Sequence, residues 1–199
     1  VTIEITLLSA IVAFLAAFIA GLARLSKNIP IRWITAIYVE FFRGTSLLVQ
    51  LFWLYFALPM FGVSLPPLIA GVLALGLNYG AYGSEVVRSS ILAVPKGQYE
   101  AGVALNMLPS QRMRLIILPQ ALSMMLPGLG NLLIELLKGT SLVSLITLSD
   151  LTYQAMILRA TNFRTTAIFS LLLVLYFIMA YPLTLGVRWL ERRASAGRL

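Results

Sequence analysis

The sequence contains no cysteine and no histidine. Thiolate, imidazole and haem-type ligand sets are thereby excluded, and so is the usual proton-transfer base. The missing cysteine says little about redox compartment. Charge is scarce as well. Only 11% of residues are Asp, Glu, Lys or Arg, against about 25% in an ordinary globular chain. Asp150 is the only aspartate. Internal repeats and low-complexity runs are missing too. The residues after Val1 lack a charged stretch followed by a cleavage site, so no signal peptide is expected there, and a start on valine reads as trimmed.

What fills the chain is apolar: 60% of the residues are hydrophobic and the mean hydropathy is +0.93. A soluble protein of this composition would expose aggregating surface, so the expected class is an all-α, polytopic membrane protein. The net charge of +8 allows two readings, nucleic-acid binding or loops facing a cytoplasm. Cationic loops follow from insertion physics alone, so a bilayer is expected and nucleic acid is not.

A helix needs about 20 apolar residues to cross a bilayer. Five segments qualify, at about 5–22, 47–61, 65–87, 116–137 and 166–190, within a single transmembrane domain over residues 1–199. The aromatic stretch Trp33–Phe42 before the second carries Glu40 and Arg43 and reads as an interfacial helix. Pro119, Pro127, Gly128 and Gly130 are expected to kink the fourth. Residues 139–164 are too polar for a lipid-facing span and read as a short helix buried in protein or lining a cavity.

With the N-terminus outside, one face holds Arg24, Lys27, Arg32, Arg43, Arg88, Lys96, Arg112, Arg114, Arg188, Arg192, Arg193 and Arg198. The other holds Lys138, Arg159 and Arg164. The rich face is expected to be cytoplasmic, along with the C-terminus, and the basic tail Arg188–Arg198 to lie on the anionic inner leaflet.

Residues 95–118 then form a cytoplasmic loop between the third and fourth spans. Gly97 and Pro109 bracket one short helix, and Ser110 reads as the N-cap of a second, Gln111–Leu118. Ala101, Ala104 and Leu105 share a face of the first, with Arg112 and Arg114 adding positive charge nearby. Such a knob can dock in a partner's groove. It can equally be a plain hairpin with Glu100 in its first turn, where the helix dipole favours an acid.

This loop resembles the signature loop of type I ABC importer permeases, Glu-Ala-Ala, three residues, Gly, then a run ending Ile-x-Leu-Pro. The matching positions are Glu100, Ala101, Gly102, Asn106, Ile116, Leu118 and Pro119, with Gly102 where Ala is usual and Asn106 where Gly is usual. Asn tolerates left-handed backbone, so a turn there survives. Further blocks resemble the polar amino acid importer branch: Arg43-Gly-Thr-Ser-Leu-Leu-Val-Gln-Leu, with Ser46 in the place of Pro; Ala81-Tyr-Gly-Ser-Glu-Val-Val-Arg; Val94-Pro-Lys-Gly-Gln; and Lys138-Gly-Thr-Ser-Leu, with Gly139 where Asp is common.

The resemblance implies a permease moving a polar amino acid or related zwitterion, such as a compatible solute, inward across the bacterial plasma (inner) membrane by alternating access. It implies two copies of a cytoplasmic ATP-binding subunit, a second permease subunit alike or related, and a periplasmic or extracellular solute-binding protein. Glu100, Ala101, Gly102, Ala104, Leu105, Asn106 and Arg112 would couple the loop to the ATPase. No G-x-x-x-x-G-K-[ST] run is present, so ATP and Mg are expected on the partner, with no cofactor and no catalysis in this chain.

Three pairs, Glu40/Arg43, Glu85/Arg88 and Glu135/Lys138, share i,i+3 spacing and can neutralise each other on one helix face. Glu135/Lys138, near the outer end of the fourth span, can also meet a zwitterionic ligand. Candidates for the solute path are Gln50, Asn78, Tyr79, Tyr82, Glu135, Lys138, Thr140, Ser141, Ser144 and Asp150. For Asn78, helix–helix hydrogen bonding is an equal alternative, and Ser149 or Asp150 can instead cap the following helix. Met113, Met124 and Met125 read as packing. Two rival functions stay in view. A secondary transporter or channel needs an intramembrane relay, for which Glu85 and Glu135 are thin material, and an intramembrane enzyme needs a Ser/Lys or carboxylate site.

Overall fold

The computed structural model describes the backbone of residues 1–196 and side chains through residue 194, so Arg198 of the expected basic tail lies outside the described residues. Among the described residues every regular element is helical. Two helices form the centre, α1 (Thr2–Ala23) and α4 (Pro67–Leu92). Lipid offers helices no hydrophobic drive to associate, so small residues that let backbones approach must supply it. The α1–α4 seam is built this way. A Cβ at Gly76 would stand 2.5 Å from Val12 Cγ1, and one at Gly80 would stand 2.6 Å from Ala16 Cβ.

Between these two lies a bent pair. α2 (Ile29–Gly44) meets α3 (Leu47–Phe52), which runs on as a π turn (Trp53–Ala57) and a 3-10 turn (Leu58–Phe61), at 104°. After α4 come α5 (Lys96–Ala104) and α6 (Pro109–Arg112). A second π turn (Met113–Ile117) leads into α7 (Leu118–Gly139) and a 3-10 segment (Thr140–Ile146). α8 (Leu151–Asn162) and the long α9 (Thr165–Ala196) close the chain.

The two π turns share a sequence cause. Each ends two residues before a proline, Pro59 or Pro119. A proline clashes with the carbonyl four residues back and offers no N–H, and i→i+5 bonding widens the helix there. Pro119 and Pro127, expected to kink the fourth apolar segment, do not interrupt it: Pro109–Ile146 runs as one helical stretch.

By length and composition Thr2–Ala23, Pro109–Ile146 and Thr165–Ala194 can each cross a membrane, and the bent pair makes a fourth candidate. α4 is long enough but less apolar. Asn78, Tyr79, Tyr82, Glu85 and four glycines lower its hydropathy, and protein surrounds it where lipid would otherwise lie. One core cluster packs Ile5, Leu51, Ala70, Leu75, Val143 and Ile146. A second packs Ala17, Val87, Ile91, Ile117, Ala121 and Met125.

Candidate functional site

α2 stops at Gly44, and Thr45 and Ser46 adopt extended backbone before α3 begins. A helix break leaves the last α2 carbonyls unbonded, and where water is excluded each must find a donor. Two amides provide them. Gln50 Nε2 donates to Phe42 O at 2.9 Å and to Thr45 Oγ1 at 2.6 Å. Asn78 Nδ2 donates to the same Phe42 carbonyl and to Gln50 Oε1, both at 3.0 Å. Both residues are buried, at 7% and 4% exposure. The bonding capacity of Gln50 and Asn78 is thus directed at the bend, which favours helix–helix bonding for Asn78.

In front of this hub lies a polar cavity of about 290 Å³ lined by Thr45, Ser46, Leu47, Asn78, Tyr79, Tyr82 and Glu135. The phenol of Tyr79 donates to the Glu135 carbonyl at 3.0 Å, and that of Tyr82 to the Arg43 carbonyl at 3.4 Å. The cavity therefore joins four of the candidate path residues, Asn78, Tyr79, Tyr82 and Glu135, and Gln50 stands behind it. Thr45 and Ser46 were not singled out from sequence as path residues. Their signal was the polar gap between two apolar runs.

Lys138 and Ser141 open onto a different cavity of about 740 Å³, shared with Thr152, Tyr176, Thr184 and Arg188 between α7, α8 and α9. The expected Glu135/Lys138 ion pair does not form, and its two members serve separate cavities. Positions three apart on a helix differ by about 60° in direction, enough to fall on opposite sides of the α7 seam. Thr140 and Ser144 turn back on their own helix, donating to the carbonyls of Leu137 at 2.6 Å and Ser141 at 2.7 Å. Asp150 caps α8, accepting from Tyr153 N at 2.8 Å, and it also accepts from the Tyr176 phenol at 3.4 Å.

Glu40 and Arg43 do not pair either. Arg43 reaches across the helix crossing to Glu85 at 3.9 Å, and its guanidinium lies 5.5 Å from the Tyr82 ring centre. Glu85 also accepts from Arg88 at 2.5 Å and from Arg24, the C-cap of α1. Among the described residues this one carboxylate accepts every ion pair, gathering α1, α2 and α4 at a single point. Arg24 had read as an ordinary loop cation.

The loop after α4 is a compact two-helix knob. α5 ends in a Schellman turn with Asn106 at φ 55°; Met107 N donates to Gly102 O at 3.0 Å and Asn106 N to Val103 O at 2.9 Å. The cap of the second helix is Leu108 rather than the expected Ser110. Pro109 occupies its first turn, and Leu108 N donates to Gln111 Oε1 at 2.9 Å. Glu100, Ala101, Ala104 and Leu105 are exposed on the knob, whereas Gly102 and Arg112 are buried.

The family model for binding-protein-dependent transport system inner membrane components matches residues 13–196. A probable amino-acid ABC transporter permease protein, y4tF of Sinorhizobium fredii, is 47% identical over 100% of this chain and 86% of its own length. The L-cystine transport system permease protein TcyB of Bacillus subtilis is 42% identical over 96% of this chain and 82% of its own. The crystal structure of an amino acid ABC transporter with histidines superposes with a TM-score of 0.91 at 38% identity, covering 96% of this chain and 90% of that one.

Proposed function

The chain belongs to the family of binding-protein-dependent transport system inner membrane components, and we propose that within it the solute is a polar amino acid or a related zwitterion, such as a compatible solute. The protein is a permease subunit of an ABC importer and a multi-pass inner-membrane protein. The amino-acid names of its relatives support the solute class. The polar cavity supports it physically, since Glu135 offers a negative charge to an ammonium and Thr45, Ser46, Tyr79 and Tyr82 offer neutral hydrogen-bonding groups.

The knob over residues 96–112 carries the mechanism. α5 buries one residue, Gly102, and otherwise presents its surface outward, as a contact that receives force from a partner requires. In this reading five crossings place the N-terminus outside and the C-terminus in the cytoplasm. Two ATP-binding subunits each receive one knob, and a second permease, identical or related, completes the pathway. ATP binding and hydrolysis then bias the pair between outward and inward openings, with no catalysis in this chain.

The test is co-purification of the tagged chain with its genomic neighbours in detergent. Ala101 is exposed, so Ala101→Asp leaves the bundle folded. The expected result is a stoichiometric ATPase bound to the native chain and lost or uncoupled in the variant. A stable chain that binds no ATPase and transports under an ion gradient would replace the importer reading with a secondary transporter.

A further inference from the structure

Arg112 matched the coupling loop by sequence as a source of surface charge. The structure buries it to 8% exposure, which removes it from direct reach of a docking partner. Its methylenes fill a notch that only glycine can provide: a Cβ at Gly102 would stand 2.8 Å from both Arg112 Cγ and Cδ, and 3.3 Å from Ile116 Cδ1. Its guanidinium lies 4.6 Å from the ring centre of Tyr99, and Nη2 donates to the Tyr99 hydroxyl at 3.3 Å. Tyr99 and Gly102 are one turn apart, on the face of α5 turned toward α6. Nε has no hydrogen-bond partner, so packing, the ring contact and the Nη2 bond to Tyr99 hold the side chain in place.

The backbone joint between the two short helices is a turn, and a turn is a hinge. α6 itself continues through the π turn and α7 to Ile146 without interruption. We infer that Arg112 is a positioning residue that clamps α5 onto α6, so that a load on the exposed face of α5 moves α7 rather than flexing the turn at Asn106. This rests on the importer reading above. It differs from a charge contact with the ATPase because it depends on the flat guanidinium against Tyr99 and on the glycine notch, not on the positive charge alone.

The experiment uses the whole transporter, with its ATPase and solute-binding protein, in proteoliposomes. The probe is a radiolabelled L-amino-acid mixture, and the readout is solute moved per ATP hydrolysed. Arg112→Lys keeps the charge and loses the flat face. It and Arg112→Ala are both expected to retain the ATPase and to lower the ratio about two- to fivefold, the scale of one partly exposed cation–π contact. Gly102→Ala evicts the Arg112 stem and should lower the ratio similarly. The double variant Gly102→Ala/Arg112→Ala should be no worse than the poorer single one.

A native ratio in Arg112→Lys would overturn the clamp in favour of a charge contact, and so would independent, multiplying effects of the two sites. Where Arg112→Ala fails to assemble, Tyr99→Leu decides, because Tyr99 is 49% exposed and its replacement leaves the fold intact. A reduced ratio supports the clamp and a native ratio sinks it. If the unaltered complex holds no ATPase, the importer reading itself has failed, and the clamp with it.

Discussion

Replacing Asn78 by leucine separates a structural role from a solute contact at a residue that both braces the α2–α3 bend and lines the polar cavity. The side chains are similar in size and the site is 4% exposed, so packing changes little. Two hydrogen bonds disappear, to Phe42 O and to Gln50 Oε1. Phe42 O keeps its bond from Gln50 Nε2, but Gln50 Oε1 is left without a donor. A hydrogen bond between membrane helices averages about 0.6 kcal/mol and reaches about 1.7, and an orphaned buried acceptor costs about 1–3 kcal/mol. The sum is about 2–4 kcal/mol, which lowers Tm by about 4–16 °C for a chain of this length. The assay is thermal unfolding in detergent beside uptake kinetics in proteoliposomes. Expected is the fall in Tm with KM changed by less than about twofold, since uniform binding is untouched. The double variant Gln50→Leu/Asn78→Leu should cost more than either single one, because it alone leaves Phe42 O without a donor. An unchanged Tm with KM raised about tenfold would refute the reasoning and return Asn78 to the solute path.

Three further outcomes follow from the same geometry. Glu85→Gln strands the guanidinium groups of Arg24, Arg43 and Arg88; the cluster is partly exposed, so the expected loss is about 1–3 kcal/mol, read by thermal unfolding and larger than that of Arg88→Gln. Asn106→Gly should leave loop stability and coupling intact, whereas Asn106→Val forces a β-branched residue to φ 55° and should cost about 1–2 kcal/mol, seen as faster proteolysis of residues 96–112. Glu135→Gln should weaken solute binding, and because Lys138 serves a separate cavity, its effect on KM should be independent of Lys138→Gln; strong coupling between the two would mean that they share one solute.

What could be read in the sequence was what is locally encoded. The apolar runs, the interruption at residues 95–118 and the left-handed turn at Asn106 each follow from composition and turn chemistry. The pairing of charges was legible only for Glu85 and Arg88, which do meet on one helix face. Spacing of three residues put Arg43 beside Glu40 and Lys138 beside Glu135, yet Arg43 finds Glu85 on another helix. A charged side chain takes the partner that the helix crossing offers, and crossings are set by contacts far apart in sequence, here the small residues of α1 and α4. Gln50 and Arg112 show the same limit. Their residue types fitted a solute path and a docking surface, but a broken helix end and a glycine notch, neither visible locally, took up their bonding and packing.

α4 ties these features into one mechanical argument. Its middle turns carry Asn78, Tyr79 and Tyr82, which line the polar cavity. One turn further on, Glu85 holds α1 and α2 through Arg24 and Arg43. Three residues past its last turn, α5 begins. The other end of the knob runs through α6 into α7, which supplies Glu135 to the opposite wall of the same cavity. A displacement of the knob therefore reaches the cavity along both walls, and the two walls are joined there by the Tyr79 hydroxyl on the Glu135 carbonyl. The small residues of the α1–α4 seam and the Glu85 cluster resist movement of α4, so a displacement that opens the cavity falls to α7, against the core it shares with Val87 and Ile91. In the importer reading proposed above, the bond that must then break or slide is the one between Tyr79 and Glu135.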